Sequence, residues 1–253
     1  MSRSPSEYCI WLLHDAVCLR ARHRRISIDA PGLYRQASTS TMLSIIDDLL
    51  PAGRGKVLDI RLGFPWSRHV VVPWQDRLID DAGWLAWTQA TCDTLGIAHA
   101  DTHIALTPLR YGLPRLAVMA DSAMLDAIGQ CAGRRGLRLR SATSTFLQAI
   151  HHYRHAIPGP DVALVLRERG TLTCALRRQG AVAAVTTQRD DSQDERQLAP
   201  IVNSLALSAA LPAPARMAVI GDGFKPAHTA TWLGPHLPRA SDVGEQDKGE
   251  RKP

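Results

Sequence analysis

Between residues 161 and 187 three strand-length runs follow one another without a helix: Asp161–Leu166, Thr171–Arg177 and Ala181–Thr187. Tight turns at Gly170 and Gly180 separate them, glycine being the residue that a sharp reversal tolerates best. Pro158-Gly159-Pro160 sets this block apart from what precedes it and marks the clearest internal boundary. After it, Asp190–Glu195 reads as the acidic start of a helix running to about Leu211, kinked or split at Pro200. Arg216–Ile220 reads as a buried strand, and Gly221-Asp222-Gly223 turns the chain into a short helix ending near Trp232.

The first part repeats the theme. Cys9–His14, Ala16–Arg22 and Arg25–Ile28 read as strands, and a Pro31-Gly32 break follows. Ser38–Thr41 offers N-caps for a helix to Leu50, with Met42, Ile45, Ile46, Leu49 and Leu50 on one face. Val57–Leu62 and His69–Val72 are further strands. Asp80 and Asp81 open a helix closed by Gly96, since acidic side chains suit the positive helix end and glycine its C-terminus. Strands at His103–Leu109 and Arg115–Ala120, a helix capped by Asp121 or Ser122 and ended by Gly136, a strand at Leu137–Ser141 and a helix at 143–153 complete this part.

Composition narrows the function classes. No run of about 18 apolar residues is present, so no transmembrane helix is expected. The polar start before the short Cys9–Leu13 run does not read as a signal peptide, and a cytoplasmic location is expected. The five cysteines are odd in number and widely spaced, with no CxxC pair, and read as buried free thiols. Net charge is +6, with arginines clustered at 20–25 and at 134–140. Without a nucleic-acid motif or interleaved aromatics, nucleic-acid binding is not the leading expectation.

The element order resembles the actin-like ATPase superfamily, in which two such halves face each other across a nucleotide. Arg115–Ser122 leading into a helix, then Gly136–Arg140, Asp161–Leu166 and Gly170–Leu176, together with a strand ending in Val-Val-Pro-Trp74 ahead of a helix, are similar to PilM-type proteins of type IV pilus assembly. They are similar as well to the cytoplasmic domain of GspL-type proteins of type II secretion. The resemblance spans residues 8–235. It implies an α/β, two-lobed, ribonuclease H-like fold: mixed sheets flanked by helices, an N-terminal lobe at 1–157 with an inserted αβ subdomain and a C-terminal lobe at 158–238, while the charged, apolar-poor tail at 239–253 reads as disordered from its composition.

The resemblance also supplies a nucleotide site to compare. Its first phosphate loop is matched by His14-Asp15-Ala16, which keeps Asp15 and lacks the glycines that bring backbone amides to a phosphate. Its second is matched by Arg167-Glu168-Arg169-Gly170, which keeps only Gly170. The strand and Gly-Gly near the adenosine are matched by Val219–Phe224, with Gly221, Asp222 and Gly223. Two degraded phosphate elements imply loss of ATP hydrolysis and a scaffold role. No cofactor is then expected, and the partner implied is an inner-membrane assembly protein, whose peptide in PilM-type proteins binds a groove of the first lobe. If nucleotide is bound, Asp15 would serve the metal with ATP, Arg167 and Arg169 the phosphates, and Gly221 and Gly223 the adenosine. The third reading is a basic adaptor for nucleic acid.

Other signals have plainer readings. His151 and His155 have a zinc-compatible spacing but no third ligand, and read as a solvated helix end, so no metal site is expected. Trp84 and Trp87 pack a helix on its sheet or anchor a partner. Asp47 and Asp48 are adjacent on a helix, so they do not face each other as an acid–base pair, and they read as exposed. No P-loop, dinucleotide fingerprint or nucleophile elbow is present.

Overall fold

The computed structural model describes residues 8–21, 24–29, 39–190, 195–221 and 230–235. The expected Pro31-Gly32 break, Ser38, Asp222, Gly223 and the tail at 239–253 lie outside them.

The first sheet has the order β3-β2-β1-β4-β8, built from β1 (Tyr8–Leu12), β2 (Ala16–Ala21), β3 (Arg24–Asp29), β4 (Lys56–Leu62) and β8 (Leu137–Ser144). The second has the order β11-β10-β9-β12-β13, from β9 (Val162–Glu168), β10 (Thr171–Arg178), β11 (Ala181–Arg189), β12 (Met217–Ile220) and β13 (Ala230–Gly234). In each, three consecutive strands run antiparallel and two more add parallel on the other side. Position by position the two sheets have the same topology. A third sheet, β5-β7-β6, is formed by β5 (Arg68–Val72), β6 (Thr102–Leu106) and β7 (Arg115–Asp121), and α2 (Asp81–Thr94) packs on it through Trp84 and Cys92.

Helices α1 (Thr39–Leu49) and α3 (Ser122–Arg134) cover one face of the first sheet. Met42, Ile46 and Leu49 of α1 and Met124, Ile128 and Cys131 of α3 join Ile10, Leu12, Val17, Leu58 and Ile60 in one buried cluster. The second sheet is buried on both faces, which explains why β9 reads as an unbroken apolar run. On one side α5 (Leu198–Ser208) supplies Leu198, Val202, Leu205 and Ala206. On the other, α4 (Thr145–His152) supplies Phe146 and Ala149, and β7 supplies Leu116.

The helix starts follow their caps. Asp80, Asp121 and Ser144 accept the amides of Gly83, Met124 and Leu147 at 2.7, 2.7 and 3.1 Å, each cap contributing about 1 kcal/mol. Gly96 and Gly136 follow α2 and α3 at φ +65° and +74°, where a side chain would be strained.

Three local expectations are corrected. The helix expected from Asp190 begins later, with a 3-10 turn at Glu195–Gln197 followed by α5. Asp190 is instead held by Arg167. Pro200 sits in the first turn of α5, where its missing N–H has no intrahelical acceptor to lose, so it neither kinks nor splits the helix. Residues 230–232, expected to end a helix, belong to β13, whose parallel pairing with β12 supplies the hydrogen bonds.

Candidate functional site

Two equivalent hairpin turns meet between the first and second sheets. In the first, the Leu13 amide donates to the Ala16 carbonyl at 2.9 Å and closes the two-residue turn His14-Asp15. Gly63, after β4, lies beside it, its amide donating to the Leu12 carbonyl at 2.8 Å. In the second, Glu168 pairs with Thr171 around Arg169-Gly170, with Gly170 at φ +68°. A Cβ at Gly170 would stand 3.4 Å from His14 Nδ1, so the turns are in contact.

The glycines here approach protein atoms of the other elements. A Cβ at Gly63 would stand 2.9 Å from Glu168 Oε1, and Glu168 is only 8% exposed. A Cβ at Gly221 would stand 2.8 Å from Arg167 Cβ and 2.9 Å from its carbonyl oxygen. The Arg167 guanidinium donates from Nε to Asp190 Oδ2 at 2.6 Å, both side chains being under a tenth exposed. Asp190 is fixed in turn by its amide, which donates to the Gly170 carbonyl at 3.1 Å. The second turn therefore has an acid after all, contributed by the end of β11 rather than by the turn.

Polar atoms buried at these turns without a protein partner are Asp15 Oδ1, Arg167 Nη2 and Thr171 Oγ1. His69 of β5 is nearby, its ring edge-on to Phe146 at 5.3 Å. Burial pushes the His69 imidazole down to about 4, and the Glu168 charge only partly opposes this, so the ring is neutral at pH 7.

These residues test the fit of a nucleotide. The turn that holds Asp15 meets Gly170 through His14, and Gly221 lies against Arg167 of the second turn. On the side where a Cβ would stand, Gly63, Gly170 and Gly221 face Glu168, His14 and Arg167. Asp222 and Gly223 lie outside the described residues. Among the described residues no three His, Cys, Asp or Glu side chains converge as metal ligands.

The remaining signals resolve locally. Helix α4 ends at His152, so His151 and His155 do not share a helical face, and Arg154 packs back on His151. Trp84 is buried among Val70, Val72 and Met119, and the Trp87 indole donates to the Pro73 carbonyl at 3.0 Å, which is the packing reading. Asp47 is not a free surface acid: Arg135 donates to it at 2.8 Å and holds its carboxyl below the usual range, and the Cys131 thiol donates to it at 3.2 Å. The five cysteines are buried and free.

The arginine clusters are partly spent within the fold. Arg140 grips the buried Asp59 at 2.5 and 3.0 Å, Ser141 donates to the same carboxylate at 2.7 Å, and Arg20 lies over the Trp11 ring.

No protein-family model matches the chain, and no curated protein does. Solved structures do. The cytoplasmic domain of EpsL, an inner-membrane component of the type II secretion system of Vibrio cholerae, is 12% identical with a TM-score of 0.55, over 93% of this chain and 91% of that one. The PilM–PilN type IV pilus biogenesis complex is 12% identical with a TM-score of 0.58, over 88% and 82%. A Bacteroides thetaiotaomicron protein with an actin-like ATPase fold and unknown function is 7% identical with a TM-score of 0.55, over 85% and 82%. At these identities the likeness is one of fold. The chain has the actin-like fold, and the expected relationship to PilM- and GspL-type structures holds at that level.

Proposed function

We propose that this actin-like chain is a non-catalytic scaffold that docks an inner-membrane protein in a pilus- or secretion-type assembly from the cytoplasmic side. The observation that carries the reading is the occupation of the interlobe turns by the chain's own side chains. Glu168 rests on Gly63, His14 faces Gly170 and Arg167 backs onto Gly221, so protein atoms stand against one side of each glycine at these turns. The fold likeness supports the class of partner, since one similar structure is a complex of PilM with PilN and another belongs to an inner-membrane component. Among the described residues no helix is long and apolar enough to cross a membrane, which is compatible with recruitment through a partner.

A second reading has one observation in its favour. Asp15 Oδ1, Arg167 Nη2 and Thr171 Oγ1 are buried polar atoms at the turns with no protein partner, and such atoms normally find one. In that reading ATP and Mg²⁺ would be held by Asp15, Arg167, Arg169, Gly170 and Gly221.

Thermal unfolding with and without Mg·ATP separates the two. A ligand bound only by the native state adds about 2.7 kcal/mol at a hundredfold excess over Kd. The scaffold reading expects no shift at millimolar ATP. An upward shift that Asp15→Ala abolishes would replace it with the nucleotide-binding reading.

A further inference from the structure

Three arginines of the first lobe are paired with acids: Arg140 and Arg61 with Asp59, Arg135 with Asp47. At one end of the second sheet the pattern is different. There Arg177 and Arg178 end β10, Arg216 precedes β12, and Arg110 reaches across from the loop between β6 and β7. Each donates to a backbone carbonyl. Arg110 bonds Gln179 at 3.1 Å, Arg177 bonds Gly180 at 3.4 Å, Arg216 bonds Pro158 at 3.4 Å, and Arg178 bonds Pro212. None of the four has an acidic partner among the described residues. Asp161, the carboxylate at this tip, is bonded to the Gln179 amide at 2.7 Å.

The like charges are close. A Cβ at Gly180 would stand 3.1 Å from Arg110 Nη1 and 3.5 Å from Arg177 Nη2, so both guanidinium groups lie over one glycine. Burial and the neighbouring Arg110 charge both push Arg177 below its usual range. Each guanidinium has five N–H donors and spends few of them here, and the planar fork matches a carboxylate. Beside Arg110 stand Leu109 and Tyr111, 48% and 87% exposed. Arginine next to an exposed aromatic is the composition of protein-recognition hot spots.

We propose that this tip, with Arg110, Arg177, Arg178 and Arg216, docks an acidic segment of a protein partner whose carboxylates enter between the guanidinium groups. The proposal gives the partner of the scaffold reading a chemistry and rests on that reading. An acidic segment there neutralises four cations set against one carboxylate, and through Arg110 it ties the inserted sheet to the second one. Tyr111 and Leu109 receive an apolar residue of the same segment.

The test is fluorescence anisotropy of the full chain with a labelled peptide of alternating Glu and Asp around a central Leu-Phe. The expected result is binding that weakens as salt rises from about 50 to about 200 mM. It should weaken about tenfold or more in Arg110→Gln/Arg216→Gln and less than about twofold in Arg134→Gln, whose site lies on α3. Both arginines of the double variant are exposed, so its unfolding temperature should equal or exceed the parent's. A lower one would make the arginines structural and overturn the proposal. So would the absence of peptide binding, or binding indifferent to the double variant. Equal or tighter binding of a single-stranded oligonucleotide of the same charge, lost in the same variant, would reassign the tip to nucleic acid. The Mg·ATP shift is read separately, so a failed scaffold reading and a failed docking tip give different results.

Discussion

Glu168 of the second sheet lies against Gly63 of the first, with its Oε1 2.9 Å from where a Cβ at that glycine would be. The carboxylate occupies space that any other residue at position 63 would take.

Gly63→Ala should therefore destabilise the protein by about 1–3 kcal/mol, the usual cost of overpacking a filled site. The added methyl group would also meet the Leu12 carbonyl oxygen at 3.1 Å and Leu13 Cδ2 at 3.3 Å. Denaturant unfolding of Gly63→Ala with and without Glu168→Ala checks this. The two changes should be non-additive, because shortening Glu168 removes the worst of the contacts.

Gly221→Ala should cost more. Its φ of +156° disfavours a side chain, and the obstructing atoms are the Cβ and backbone carbonyl of Arg167, which cannot swing away. Thermal unfolding should show a loss of about 2 kcal/mol or more, and trimming Arg167 to Ala should not restore it.

Stability should fall on acidification through His69. Its folded-state pKa, about 4, lies below the ordinary 6.5, so between these values the unfolded chain binds the extra proton. The contribution of the neutral buried ring is complete above about pH 7 and declines as pH drops toward 4, with about 2 kcal/mol gone by pH 5. Denaturant titrations at pH 7.5 and 5 should show this difference in the parent chain and a smaller one in His69→Gln.

The thiols should be silent in the native state. All five cysteines are buried, and burial raises Cys9 to about 11 and Cys174 to about 12, so little thiolate exists near neutrality. A chromogenic disulfide reagent at pH 8 should titrate five thiols in denaturant and react with them only at the unfolding rate without it.

Asp59→Ala should be the costly change in the first lobe. Asp59 is 2% exposed and answers Arg140, Ser141 and, at 3.9 Å, Arg61. Arg140 keeps partial access to water, which softens the loss to about 2–3 kcal/mol. Replacing Arg140 as well should recover part of it in equilibrium unfolding.

Much of the fold is legible because its signals are local. The caps at Asp80 and Asp121, the glycines at 96, 136, 170 and 180, and the unbroken run of β9 each state an element within a few residues. What is not legible depends on distant partners. Strand β13 exists because β12 lies alongside it, and nothing in Ala230–Gly234 announces that neighbour. Asp190 reads as a helix start because an acid at a helix N-terminus is a common local solution, yet Arg167, 23 residues earlier, claims it. The same pairing hides the acid of the second turn. Asp15, Gly170 and Gly221 are assigned to one site only through a resemblance, whereas Glu168 and His14, which stand against Gly63 and Gly170, carry no local signature of those contacts.

The matching topology of the two sheets gives the contact between their hairpins a further meaning. In a twofold dimer of one such module, equivalent turns would confront each other, and residues on the axis would face their own copies. Asp would then oppose Asp, or Arg would oppose Arg. Joined in one chain, the two modules can differ, and here His14 of one turn confronts Gly170 of the other. Covalent linkage has turned a contact that a twofold axis would make like-on-like into one between unlike surfaces, a freedom that a twofold pair of identical subunits lacks.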